Sequence, residues 1–218
     1  MLPALIVAAV PAVLIGNALW LLVSPNFVGL LYGLLGIPAP IEGLSAASAR
    51  ELGMSGVGSV HPGGEGVDLL RRARLEDRST AFTEREIGHM ADVRSVVGGF
   101  YAAWAIAVVS SAVSAFALGR CGRASSVTRA LRRGAGLTLA ATLLIAIAMA
   151  LSFGAVFEAF HATFFAGDSW RFASGSTLLR LYPEEFWTVA VATAAVLIAL
   201  QAIGIRLGAR APTADMPS

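Results

Sequence analysis

Long stretches without one charged residue alternate with short charged segments along this chain. No Asp, Glu, Lys or Arg occurs over Met1–Ile41, Ser95–Gly119, Gly134–Phe157 or Phe186–Ile205, and each run holds at least 20 residues. A helix of about 20 apolar residues crosses roughly 30 Å of hydrocarbon. Backbone polar groups must pair internally in lipid, so spanning segments are helices or closed barrels. Barrel strands alternate apolar and polar positions, and these runs do not. The pattern therefore predicts an all-α, polytopic membrane protein with four transmembrane helices. The spans fall at about 3–23, 95–119, 134–157 and 186–206, within one integral membrane domain over 1–218. A long, partly helical outer loop covers about 24–94, a second covers about 158–185, and a cytoplasmic loop covers about 120–133.

Local signals subdivide the long loop. Ser24-Pro25-Asn26 ends the first helix, and Ile37-Pro38-Ala39-Pro40 marks a further turn. Ser45 or Ser48 caps a short helix running to Glu51, with Ser48 and Glu51 as a candidate capping box. Gly53 to Gly66, with six glycines and a proline, reads as flexible. Val67 to Arg78 reads as an amphipathic helix with Leu69, Leu70, Ala73 and Leu75 on one side. Its arginines either lie along anionic headgroups or face solvent. Thr83 with Glu86 forms a capping-box signature, so one helix is predicted from about Glu84 to Leu118 with no intervening proline. Tyr182-Pro183-Glu184 opens the fourth span, with proline and acids in the first turn.

Composition sharpens this picture. The chain is 56% hydrophobic and only 14% charged, with a mean hydropathy of +0.73. All sixteen Lys and Arg positions are Arg, and the pI is near 9.2. No basic cluster is interleaved with aromatics, so nucleic acid is not an expected partner. The charge follows topology instead. The short loop carries Arg120, Arg123, Arg129, Arg132 and Arg133 with no acid, and the tail carries Arg206 and Arg210. Ser24–Val97 holds nine acids against seven arginines, and 158–185 holds four against two. Short Arg-rich loops stay cytoplasmic, which puts both termini inside and both large loops outside. The lone Cys121 excludes an internal disulfide. The first span lacks a basic n-region and reads as a retained helix rather than a cleaved signal.

Candidate chemistry gathers in the outer segments. Glu86, His89 and Asp92 lie three apart, one polar stripe at helical spacing. A carboxylate beside an imidazole fixes its tautomer and raises its basicity, as a general base requires. His89 stands six residues before the second span, roughly 9 Å outside the hydrocarbon. Glu158 and His161 sit at i and i+3 where the third span ends. Ionisable groups at that depth point to function, whereas the aromatics around them also suit an interfacial belt. His61, beside Pro62-Gly63-Gly64, reads as incidental. There is no G-x-S-x-G elbow, P-loop, H-E-x-x-H or paired-cysteine site. The two histidines with Glu86, Asp92 or Glu158 have no ligand-like spacing for zinc. No metal or cofactor is expected.

Three motifs carry a resemblance. FTEREIGHMADV at 82–93, FHATFF with GDSW at 160–170 and TLLRLYPEEFW at 177–187 resemble the bacterial integral membrane family that includes lipoprotein intramolecular transacylase (Lit). SPNFVGLLYGLLGIP at 24–38 and GLSAASARELG after it extend the likeness. The resemblance implies an enzyme of the cytoplasmic membrane, active at the outer leaflet, whose substrate is a diacylated lipoprotein. The sn-2 acyl chain of the diacylglyceryl cysteine moves to that cysteine's α-amino group, giving the lyso form. The family's two histidines fall on His89 and His161, expected to be catalytic. Such an acyl shift draws on proximity and needs no Ser or Cys nucleophile. Arg85 is a candidate oxyanion donor, Glu86 or Asp92 would orient His89, and Glu158 would orient His161. Trp170 and Glu184 support the site, while Tyr32, Phe164 and Phe165 are candidates for substrate contact. Membrane lipid is the other expected partner, and a monomer is favoured. The alternatives are another lipid-active hydrolase or acyltransferase, and a non-catalytic protein that binds lipid or lipoprotein.

Overall fold

The computed structural model describes residues 1–209; Arg210 lies outside the described residues. The helices are α1 (Leu2–Leu22), α2 (Pro25–Leu30, continuing as a π-turn Leu31–Leu35), α3 (Ala46–Val60), α4 (Asp68–Arg72), α5 (Glu84–Arg120), α6 (Ala124–Leu151), α7 (Phe153–Phe164), α8 (Thr177–Leu181) and α9 (Glu184–Gly208). Four of them, α1, α5, α6 and α9, are long and apolar enough to cross a membrane. The fold is all-α and membrane-integral. The unbroken helix expected from Glu84 is present and extends to Arg120.

Two compact units make up the described chain: Met1–Ala18 with Tyr101–Ile147 and the chain from Thr193, and Leu19–Phe100 with Ala148–Ala192. In the first unit, Ile6, Val10, Leu14, Leu118, Ala135 and Ala202 pack together. Small residues let these helices approach closely: a Cβ on Gly134 would meet the Val10 Cβ at 2.7 Å. A polar relay joins three helices there. Trp104 donates to Asn17 Oδ1 at 3.0 Å, and Asn17 Nδ2 donates to Gln201 Oε1 at 2.8 Å. Each amide thereby finds a partner at a place where water is scarce.

The second unit has its own core, built on Phe27, Val28, Leu31, Leu52, Leu70, Phe82, Ile87, Leu181 and Phe186. Three expectations need correction here. The helix thought to end at Glu51 runs to Val60, with Ser45 as its N-cap accepting from Ser48 N–H, so Gly53–Val60 is ordered. Its glycines are contact points, not hinges. A Cβ on Gly53 would lie 2.6 Å from Tyr32 Oη, and one on Gly56 would collide with Tyr182 Oη. Arg94 closes the far end, donating to the carbonyls of Ser59 (2.8 Å) and His61 (3.1 Å), which the helix leaves without partners.

The amphipathic helix expected over Val67–Arg78 is only Asp68–Arg72. Beyond it the chain turns back, because Asp77 accepts the Ser79 N–H at 2.9 Å and Arg78 adopts φ 69°. A bridge then pairs Arg74 with Thr80. Asp77 offers the backbone a local alternative to the helix, and that overrides the period of the leucines. The helix of the third charge-free run also begins and ends earlier than expected, Ala124–Leu151 against 134–157. Ser152, at φ −159° and ψ 83°, breaks the helix, and His161 rides on the separate α7 instead of on the end of the span.

Candidate active site

The capping box anticipated at Thr83 is formed: Glu86 N–H donates to Thr83 Oγ1, while Thr83 N–H donates to Glu86 Oε2 at 2.8 Å. This start fixes the rotation of α5 and hence the direction of His89, one turn on. On the other side, Ser152 and α7 present His161. The two imidazoles, 72 residues apart in sequence, come together with ring centroids 6.1 Å apart and planes at 25°.

Aromatic rings enclose the pair. Phe165 lies 4.8 Å from His89 and 5.4 Å from His161, and Phe172 lies 5.4 Å from His89. Phe157 and Trp170 approach His161 at 4.0 and 4.8 Å. His89 is 8% exposed and its Nδ1 is buried with no hydrogen-bond partner. Burial pushes its pKa down to about 4; His161 adds to the depression and Asp92 opposes it. His161 is also lowered by burial, countered by its bond to the Phe157 carbonyl.

That bond decides a tautomer. His161 Nδ1 lies 2.8 Å from Phe157 O. A carbonyl only accepts, so Nδ1 carries the proton and Nε2 keeps a free lone pair. Phe157, four residues upstream on α7, therefore does what Glu158 was expected to do. Glu158 is exposed and reaches Arg171 at 3.5 Å.

The other supporting residues divide similarly. Glu86 is 1% exposed and turns away from His89, accepting from Thr83 and from Leu178 N–H at 2.9 Å. Asp92 is exposed and reaches His89 only through its charge. Arg85, the candidate oxyanion donor, instead donates to the Asp168 carbonyl at 2.6 Å and lies over Phe172, 6.0 Å from its centroid. It anchors the loop that brings Phe172 and Trp170 to the histidines. Arg171 stacks over Trp170 at 4.8 Å. Phe165 joins the imidazole pair. Phe164 is 41% exposed beside Phe160 and Phe100, at 4.9 and 5.6 Å. Tyr32 is a packing residue: its hydroxyl donates to Leu181 O at 2.7 Å. Glu184 is exposed in the first turn of α9. His61 stands apart from the imidazole pair, edge-on to Trp20 at 5.5 Å, its Nδ1 accepting from Gly63 N–H. Among the described residues no three His, Cys, Asp or Glu side chains are arranged to hold a metal ion.

The family model of lipoprotein intramolecular transacylase Lit matches residues 68–187, which contain every element of this site. The chain belongs to the Lit family. A protein from Aquifex aeolicus, described only as uncharacterized, is 26% identical over 84% of this chain and 81% of its own length. The crystal structure of the membrane-integral Lit from Bacillus cereus superposes with a TM-score of 0.77 at 15% identity, covering 94% of this chain and 90% of that one. A variant of the same Bacillus protein with one histidine changed to arginine gives 0.74 at 15% identity, over 96% and 89%. The Lit fold thus extends well beyond the matched segment, to nearly the whole chain.

Within the Lit family frame, Phe157 and Phe172 are the site residues that sequence reasoning passed over. Phe157 contributes through a carbonyl, which no side-chain motif reports. Phe172 had a signal, two residues after Trp170 in the GDSW segment, but an aromatic there reads equally well as belt.

Proposed function

We propose that this Lit-family protein is a histidine-dependent intramolecular transacylase. It moves the sn-2 acyl chain of a lipoprotein's diacylglyceryl cysteine onto the cysteine's α-amino group. The carrying observation is the pair of imidazoles 6.1 Å apart, one tautomerically fixed and the other held neutral by burial.

The chemistry suits those two states. The amine nitrogen attacks the ester carbonyl; a C–N bond forms and the carbonyl oxygen takes up negative charge. His161 Nε2 accepts the proton that the attacking nitrogen must lose. His89, uncharged at neutral pH, donates a hydrogen bond from its ring N–H to the developing oxyanion. Collapse breaks the ester C–O bond, and the proton on His161 passes to the departing glycerol oxygen. Atoms and charge balance with no water or co-reactant consumed. Nucleophile and ester belong to one molecule, so proximity supplies much of the rate. The aromatic rings packed around the buried His89 limit the water that would divert the ester to hydrolysis.

Five arginines at the α5–α6 turn and along the start of α6, from Arg120 to Arg133, support cytoplasmic termini and an outward-facing site in the bacterial cytoplasmic membrane. Expression in cells whose lipoproteins are all diacylated tests the activity. Mass spectrometry of a reporter's N-terminal peptide is expected to show the N-acyl lyso form. An unchanged diacyl peptide beside correctly inserted protein overturns the reading.

A further inference from the structure

Away from the histidines, α2, α3 and α4 wall a cavity of about 560 Å³. Its sides are mostly apolar, with Pro25, Met54, Gly58 and Leu69 among them. Two charged residues complete the lining: Arg50 and Glu51. Neither takes part in an ion pair or side-chain hydrogen bond among the described residues, and the two do not bridge each other. The Arg50 guanidinium lies across α2, where a Cβ on Gly29 would stand 3.2 Å from Nη2. Glycine there leaves room for the guanidinium close to the α2 backbone, beside the apolar lining.

The place of this cavity says what it takes. α1 ends at Leu22 and α2 begins at Pro25, so α2 starts where the first membrane-spanning helix stops. The inner face of α2 and its π-turn buries Phe27, Val28 and Leu31. The opposite face shows Leu30, Leu34 and Leu35 at 50, 75 and 56% exposure. An element apolar on both sides is not resting in water, and beside the end of a span the apolar phase at hand is lipid. An adjacent cation and anion, unpaired within the protein, are complementary in charge to a phospholipid head group.

We infer that this cavity is a binding site for a single glycerophospholipid whose head group carries both a phosphate and a primary ammonium. Arg50 takes the phosphate as a guanidinium fork, Glu51 takes the ammonium, and the upper acyl carbons fill the apolar slot. A head group with phosphate alone satisfies Arg50 and leaves Glu51 facing like charge. The volume is of the size, about 300–1,000 Å³, that holds one small molecule. The site is separate from acyl transfer and stands or falls independently of it.

The test uses full-length protein reconstituted in vesicles of equal phosphatidylethanolamine and phosphatidylglycerol, extracted gently and weighed intact by native mass spectrometry. Wild type is expected to retain one phosphatidylethanolamine, at least about fivefold over phosphatidylglycerol. Arg50→Gln is expected to lower retention of either lipid about tenfold, and Glu51→Gln to abolish the preference while keeping binding. Both positions are exposed, and circular dichroism confirms the fold of each variant. Equal retention of the two lipids by wild type, or retention by Arg50→Gln at the wild-type level, overturns the proposal. Lipoprotein conversion by the same samples is a separate readout, so loss of one finding does not obscure the other.

Discussion

Glu86 Oε1 accepts the backbone N–H of Leu178 at 2.9 Å, joining residues 92 positions apart at the start of α5 and the start of α8. Its second oxygen holds Thr83, so one buried carboxylate fixes two helix starts. Leu178 follows Phe172 by six residues. The tie therefore sets where the loop bearing Phe172 and Trp170 returns. Glu86→Ala leaves buried donors unanswered and is expected to cost about 1–3 kcal/mol of stability. Thermal unfolding in detergent reads the loss, and lipoprotein conversion should fall with it.

His89→Ala and His161→Ala are each expected to reduce conversion by about 100-fold or more, the scale of a lost acid–base group. On the proposed mechanism the two rings serve one transition state, so the double variant should be little worse than either single one. Initial rates on a diacyl lipopeptide in mixed micelles measure this. Additive losses would show that the rings work separately.

Protonation gives a prediction with a definite sign. His89 has a folded pKa of about 4 against an ordinary 6.5. Between these values the unfolded chain binds more protons than the folded one. The associated stability is complete above about 6.5 and is lost as pH falls toward 4. Tm in detergent should therefore drop between pH 7 and pH 5. His89→Phe should flatten that drop, and an unchanged slope would contradict a neutral, buried His89.

Glu158→Gln should matter little. Its link to Arg171 is 3.5 Å long with both groups more than half exposed, and such pairs contribute about 0–1 kcal/mol. Conversion within about twofold of wild type is expected, because His161 is oriented by a carbonyl. A large loss would restore the carboxylate to the role that spacing alone suggested.

Gly56→Ala places a methyl group against Tyr182 Oη in a fully packed region. Overpacking of this kind is expected to destabilise by about 1–3 kcal/mol. Gly63→Ala, whose Cβ would meet only His61 ring atoms at 3.8 Å, should be nearly silent in the same unfolding measurement.

The four long helices were legible because their signal is strong and local, whereas His89 and His161 were joined as one candidate site only by the family resemblance of their motifs. Charge-free runs leave no alternative to spanning, and the Thr83–Glu86 box announces α5 within a residue. What misled was the assumption that neighbours in sequence are partners in space. Glu86 and Glu158 stand three residues from a histidine, yet each faces another group, because a helix surface offers several neighbours and burial decides among them. Gly53 and Gly56 read as flexibility because glycine alone carries no record of the tyrosine packed on it. Asp77 and Arg78 undid a leucine pattern through one side chain closing on its own backbone.

The unbroken run of α5 from Glu84 through its apolar stretch has a consequence for how this chain can vary. A helix advances about 1.5 Å and turns about 100° per residue. One residue inserted between His89 and Ser95 would swing the imidazole a quarter-turn or more around the rod. Seven residues, nearly two full turns, would restore its bearing but raise it about 10 Å farther from the lipid. No change of length meets both demands, so the six-residue interval fixes the bearing and the height of His89 on the rod together.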